Sequence, residues 1–422
     1  MLQRFKTKSE FGKNVLTLMT GTTIAQAIPV AISPILTRIY TPDDFGVFAL
    51  FMAITAIFGS ISTGRYDLAI MLPKKDEDAI NIFALGFIIT SSISFVLLVV
   101  VFIFQEYFVF FLKNEEIGVW LYLVPVSVFF IGTFNILSYF NIRKKNYKSI
   151  ANVTILKSIV VTVIQLSIGF LKQGVTGLIS GQIISGFFGN VKLLKNIIRD
   201  KILISKISRA RIMALAIRYK DFPKFTLWTT LASALSTNIT NILISFFYSV
   251  STLGFYSLVQ KVLAMPASLI GSSVGQVFFQ QATKEKQKTG ITIKSFNSTL
   301  KKLIIIGLPS FGILFFIVED LFVIVFSEEW KIAGTYAKIA LPLYSIRFVS
   351  STLSSINIVF EKHKIGLYIN IIVLISLLII FISVKIFFIK FDLFLYIMTY
   401  VLFLEYFLVL IYYKKLSQGD FN

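Results

Sequence analysis

The 422 residues contain no cysteine and only one histidine, His363. A disulfide framework and a thiolate metal site are thereby excluded, as is any multi-histidine centre, and no metal is expected. Acid is scarce as well. Against 41 Lys and Arg stand 21 Asp and Glu, which leaves a formal net charge of +20. Enzyme signatures are missing: the chain has no P-loop, no G-x-S-x-G and no H-E-x-x-H, so nothing in it points to ATP hydrolysis or to soluble-enzyme chemistry. Polar residues are also too few to cover a soluble protein of this length, because 56% of the chain is hydrophobic.

What is present is a succession of apolar runs of about 20 residues, each long enough to cross roughly 30 Å of hydrocarbon as a helix. Twelve spans are predicted: 14–38, 45–71, 80–105, 118–141, 150–171, 174–195, 224–248, 252–280, 302–326, 332–360, 364–388 and 392–413. The first run continues to about Tyr40, which reads as a retained helix rather than a cleaved signal. Pro29, Pro34, Pro125, Pro266 and Pro342 fall inside spans and mark bends.

The basic residues sort by side. One set of span ends holds Arg4, Lys6, Lys8, Lys13, Lys74, Lys75 and Arg143–Lys145, with the segment from Lys192 to Lys224 and further clusters near 284–302, 362–364 and 414–415. That is about thirty residues, against about five at the opposite ends, so by the positive-inside rule the rich side is cytoplasmic and both termini lie there. The positive charge is thus explained by topology and anionic lipid, and no nucleic acid partner is expected. The longest extramembrane stretch is basic and amphipathic and is expected to lie along the inner surface. It divides the chain into an N-terminal six-helix lobe (1–198), a basic cytoplasmic linker (199–222) and a C-terminal six-helix lobe (223–422).

The two halves carry a weak repeat. "ILTRIYTPDDFGVFALF" begins at Ile35 and "ILISFFYSVSTLGFYSLVQ" at Ile242. Aligned on Gly46 and Gly254, Tyr40 meets Tyr248, Phe48 meets Tyr256 and Leu50 meets Leu258. The expected fold is therefore an all-α polytopic membrane protein, with twelve transmembrane helices in two parallel six-helix lobes around a central cavity.

Charges inside the spans indicate what such a cavity would take. At 1.5 Å per residue, Lys261 lies about 14 Å and Arg347 about 22 Å from a span end, while Lys157 and Arg65 lie about 10 Å in. Lys338 and Lys385 are shallow enough to snorkel. Asp67 and Glu405 are the acids available to them, so bases are in excess and the cavity is expected to be cationic and to attract an anion. On a continuous helix Asp67 would point about 200° away from Arg65, leaving Arg65 available to a ligand. Asp67 and Glu405 are candidates for interhelical pairing or for coupling to a proton or sodium; no other cofactor is expected. In the seventh span "STNITNIL" forms a polar stripe whose Asn238 and Asn241 serve interhelical bonds or contact sugar hydroxyls.

The segments "PILTRIYTPDDFGVFALFMAI" and "GRYDLAIMLPKKDEDA", with "GSSVGQVFFQQA" at 271–282, resemble the Wzx-type polysaccharide flippases of the multidrug/oligosaccharidyl-lipid/polysaccharide exporter superfamily. The resemblance implies a non-enzymatic flippase of the bacterial inner membrane. It would move undecaprenyl-pyrophosphate-linked oligosaccharide by alternating access for O-antigen (lipopolysaccharide) or capsule assembly, beside other polysaccharide assembly proteins. The pyrophosphate would then meet Lys261, Arg347, Arg65, Lys157 and Arg38. The alternatives are a cation-coupled multidrug exporter of the same superfamily and a membrane polysaccharide polymerase, which the short outer loops disfavour.

Overall fold

The computed structural model describes residues 10–420, and the side chains of 17–362 and 364–420 within them. Arg4, Lys6 and Lys8 lie outside the described residues, as do the side chains of Lys13 and His363. Two compact units divide between Asn238 and Ile239.

The first unit holds α1 (Glu10–Ile39), α2 (Pro42–Ile61), α3 (Tyr66–Ala69), α4 (Asp76–Leu112), α5 (Ile117–Leu121), α6 (Val124–Arg143), α7 (Tyr147–Phe170), α8 (Thr176–Ile198), α9 (Lys201–Ile204) and α10 (Arg209–Arg218). A π-helical turn, Phe222–Thr226, then leads into α11 (Leu227–Phe247), inside which the division falls. The second unit continues with α12 (Val250–Leu263), α13 (Ser272–Thr289), α14 (Ile293–Phe326), α15 (Lys331–Leu353), α16 (Ile356–Val359), α17 (His363–Phe387) and α18 (Phe391–Gln418). No strand occurs among the described residues. Hydrocarbon supplies no hydrogen bonds, and helices satisfy their own backbone.

Eleven segments among the described residues are long and apolar enough to cross a membrane. They coincide with eleven of the twelve expected spans. The remaining one, 174–195, does form a helix, α8, but it is diluted by Gly177, Gly181, Gly186 and Gly189 together with Gln182 and Asn190. Those glycines let neighbours approach closely: a Cβ at Gly177 would stand 2.0 Å from the Tyr40 hydroxyl, and one at Gly186 3.1 Å from Phe130 Cβ. Small residues at helix contacts are the usual means of tight packing in lipid.

Four spans are broken where one helix was expected, the tenth span among them, at residues 354–355 between α15 and α16. The second ends at Ile61, and residues 62–65 form a turn before α3. Gly64 and Arg65 both have positive φ, 59° and 63°, and Ser62 donates its hydroxyl to Gly59 O at 2.8 Å. The fourth is split into α5 and α6, with Pro125 in the first turn of α6, where a missing N–H is harmless. In the eighth, Pro266 sits just before a π-helical turn, Ala267–Gly271, that separates α12 from α13.

The repeat is visible in local structure. Thr41 caps α2 by accepting from Asp44 N, and Ser249 caps α12 by accepting from Thr252 N. Leu50 and Leu258 are both fully buried. Tyr40 donates its hydroxyl to Gln165 O at 2.5 Å, in the later part of α7, and Tyr248 donates to Ile389 O at 3.1 Å, just past the end of α17. Later the register becomes 216: Lys145 and Glu361 both have φ 59°, and Lys172 and Phe388 have 54° and 50°.

The stretch "GRYDLAIMLPKKDEDA" forms a corner. Asp76 accepts from Arg143 Nε at 2.8 Å and Lys144 Nζ at 2.5 Å, while Arg143 also donates to Ile70 O. Glu77 pairs with Arg211 at 2.7 Å. Asn81 receives Ser208 N and donates to Lys206 O, and Tyr66 donates to Ala216 O. Leu203 and Leu215 are buried with Ala79, Ile80 and Leu85 in one cluster. The basic segment is helical as expected, and one apolar side of it packs on α4.

Removing the Tyr40 hydroxyl with Tyr40→Phe is expected to destabilise the protein by about 1 kcal/mol, the usual net value of one buried hydrogen bond. Gly177→Ala, which overpacks the same spot, is expected to cost roughly 1–3 kcal/mol. Thermal unfolding in detergent should rank wild type above Tyr40→Phe above Gly177→Ala. A wild-type midpoint for Gly177→Ala would contradict this packing.

Candidate functional site

The cations of the second unit lie on packed helices. α15 touches both α12 and α18. Arg347, in the middle of α15, places its guanidinium 5.6 Å from the ring centre of Tyr344 and 5.5 Å from that of Tyr406 on α18. Tyr256, buried on α12, lies near the same group and interacts with Gln260 and Tyr344. Arg347 thus lies against aromatic faces, a cation–π arrangement that leaves its charge uncancelled. Among the described residues no carboxylate pairs with it. Lys261 lies in the last turn of α12. Tyr256 and Gln260 share a face at i, i+4, and Lys261 is turned about 100° from Gln260.

In the first unit Lys157, on α7, holds its ammonium 4.0 Å from the centre of the Phe134 ring on α6. Its stem runs along α8 at Gly189, where a Cβ would come within 2.7 Å of the lysine Cδ. The lysine stem therefore lies close against the glycine backbone. No carboxylate is paired with Lys157 among the described residues.

Arg65 differs from expectation. Because the helix breaks before it, the 200° separation from Asp67 does not apply, and Arg65 Nη1 stands 3.7 Å from Asp67 Oδ2. Asp67 is 1% exposed and also accepts the Thr63 hydroxyl at 2.6 Å. Its ion pair is local, not interhelical. Arg65 keeps one further donor: its Nε is buried with no hydrogen-bond partner. Tyr139 on α6 lies near both members of the pair. Tyr139 and Phe134 are five residues apart, so Arg65 and Lys157 approach α6 at points about 7.5 Å apart along its axis. Arg38 is not brought to this group. It lies exposed in the last turn of α1, and its Nη1 donates to Pro34 O at 2.6 Å.

Glu405 on α18 accepts the Ser376 hydroxyl from α17, a true interhelical bond. Its second oxygen is buried without a partner. It borders a cavity of about 230 Å³ lined by Ile365, Ile369, Ile372 and Val373, and no base pairs with it among the described residues. Asn238 is half-buried and bonds back to Ala234 O at 2.9 Å, while Asn241 has a buried carbonyl oxygen without a partner.

Two features were missed in the sequence. Glu319, within α14, pairs with Lys338 at 3.0 Å, so the in-span acids are not only Asp67 and Glu405. The tyrosines around Arg347 were also missed. Tyr344 and Arg347 stand at i, i+3, a same-face spacing that sequence alone displays. Tyr256 and Tyr406 arrive from other helices and leave no local signal.

Comparison with solved structures shows the fold. The lipid II flippase MurJ in an inward closed conformation superimposes with a TM-score of 0.71 at 16% identity, covering 96% of this chain and 90% of that one. An inward-facing multidrug resistance transporter of the MATE family, in the MOP superfamily, gives 0.65 at 13% identity over 95% and 94%. The Vibrio cholerae MATE transporter VcmN gives 0.61 at 12% identity over 96% of each chain. No curated protein matches by sequence. A family model described as polysaccharide biosynthesis protein matches residues 35–334. That is well over half of the 422 residues, and the chain therefore belongs to the polysaccharide biosynthesis protein family, with the fold of a membrane transporter rather than of an enzyme.

Proposed function

We propose that this protein is a flippase for undecaprenyl-pyrophosphate-linked oligosaccharide, acting by alternating access in the bacterial inner membrane and serving surface polysaccharide assembly such as O-antigen or capsule. Family membership and a fold shared with a lipid II flippase support the class of substrate. The observation that carries the anionic headgroup is Arg347, a guanidinium deep in a span with aromatic support and no carboxylate paired with it among the described residues. Such a group costs a few kcal/mol in hydrocarbon unless it serves a ligand, and its planar fork suits pyrophosphate oxygens. Lys261, Lys157 and the Nε of Arg65 are the further contacts; Arg38, exposed and tied to its own helix, ranks last. The distribution of Lys and Arg supports both termini on the cytoplasmic side.

A cation-coupled drug exporter is the less favoured reading. A cavity that binds cationic drugs needs acids, and neither residues 17–39 nor α11 contain one. For proton coupling, the packing leaves Glu405 available, whereas Asp67 is engaged by Arg65 and Thr63.

Reconstituted into proteoliposomes with undecaprenyl-pyrophosphate-linked oligosaccharide, Arg347→Ala is expected to lower translocation roughly tenfold to a hundredfold, the value of a charge-assisted hydrogen bond, and Arg347→Lys to restore it only in part. Wild-type rates for Arg347→Ala would overturn the headgroup assignment. Glu405→Gln is expected to remove any dependence of the rate on an imposed pH gradient while the protein remains folded. A gradient response that survives in Glu405→Gln would place coupling elsewhere.

A further inference from the structure

α10 has two apolar ridges, and among the described residues one of them is packed. Ile212, Leu215, Ala216 and Tyr219 turn toward α4 and join the buried cluster. Met213 and Ile217, at i and i+4 on another face, are 55% and 64% exposed, and Ile202 of α9 is 79% exposed. These side chains are flanked by basic residues. Between 199 and 224 the chain carries eight Lys and Arg (Arg199, Lys201, Lys206, Arg209, Arg211, Arg218, Lys220 and Lys224) against Asp200 and Asp221. Arg211 is engaged by Glu77, whereas Arg209 and Arg218 stand exposed at the two ends of α10.

The position of this surface is fixed by α4. Its 37 residues extend about 55 Å, well beyond a hydrocarbon layer of roughly 30 Å. α10 is clamped at the N-terminal turns of α4, through Glu77 and Asn81, and so lies at headgroup level rather than in the bilayer core. An exposed apolar ridge bordered by arginines at that level is complementary to one environment: acyl chains beneath anionic phosphates. A polyanion in water, such as nucleic acid, would match the arginines but leave the Met213–Ile217 ridge exposed.

The geometry points to a binding surface for anionic phospholipid on the outer face of α9 and α10. One apolar ridge holds the segment to α4, and the other seats it in the cytoplasmic leaflet. This lipid is separate from the transported one, and the surface does not depend on the assignment of Arg347.

Because the chain has no cysteine, a single reporter can be placed on the full-length protein. Ile217→Cys carrying an environment-sensitive NBD group is to be compared in nanodiscs of phosphatidylcholine with and without phosphatidylglycerol, using the neutral aqueous quencher acrylamide. Phosphatidylglycerol is expected to lower quenching at least fivefold, given about fivefold in surface affinity per basic residue near the membrane. Adding Arg209→Gln and Arg218→Gln should abolish the difference. Both residues are exposed, so folding is preserved, and a second reporter at Ile202→Cys gives an independent reading. Equal quenching in the two lipid mixtures at both positions would overturn the proposal. So would protection that persists after both arginines are removed, because the surface would then be covered by something other than an anionic leaflet.

Discussion

In hydrocarbon a backbone group that leaves a helix finds no water, so every interruption in this protein must bring its own partners. The second span illustrates the constraint. When α2 stops at Ile61, Ser62 turns back to Gly59 O, Thr63 donates to Asp67, and Arg65 N is received by Thr63 Oγ1. The left-handed backbone at Gly64 and Arg65 then reverses the direction in which the arginine leaves the chain. What looks like an acid and a base stranded in an apolar run is the hydrogen-bonding set of a helix break. The same reasoning covers the corner downstream, where Asp76 joins the loop after α3 to the end of α6.

This explains how much of the molecule its sequence displays. Span positions rest on the length and apolarity of runs, which are local, and eleven were placed correctly. Caps are local too, and "YTPDD" and "YSVST" announce the starts of α2 and α12. The break at 62–65 was missed because Ser, Thr and Gly are ordinary in membrane helices and only the satisfied turn distinguishes it. The pairing of Lys338 with Glu319 was missed because a carboxylate in "FIVEDLF" registers only when its helix is seen beside another. The tyrosines around Arg347 share that limit: three helices supply them, and only Tyr344 is a neighbour of the arginine in sequence.

The repeat preserves backbone and not charge. Under the 208-residue offset, Arg65 corresponds to Ser273 and Lys261 to Ala53; under the 216-residue offset, Arg347 corresponds to Ile131. Each deep base is therefore particular to one unit. Capping residues, buried leucines and the tyrosine clasps recur in both units because folding in lipid demands them of any such six-helix bundle. The cations recur in neither position, so the fold does not require them.

The fifth and sixth long helices carry this contrast furthest. The left-handed residues Lys145 and Glu361, and Lys172 and Phe388, set the 216-residue register on both sides of the fifth long helix and up to the start of the sixth. In that register Lys157 corresponds to Val373 and Gly189 to Glu405. The first unit thus sets a lysine on α7 against a glycine on α8, while the second sets a valine on α17 against a glutamate on α18. One helix interface has been given a base in one unit and an acid in the other, on opposite partners. Neither group is neutralised by an ion pair among the described residues. An interface whose only task was packing would have no reason to keep an ionisable group in both versions, since each costs free energy in hydrocarbon. Under the flippase reading proposed above, the base is the group suited to an anion and the acid the group suited to exchanging a proton.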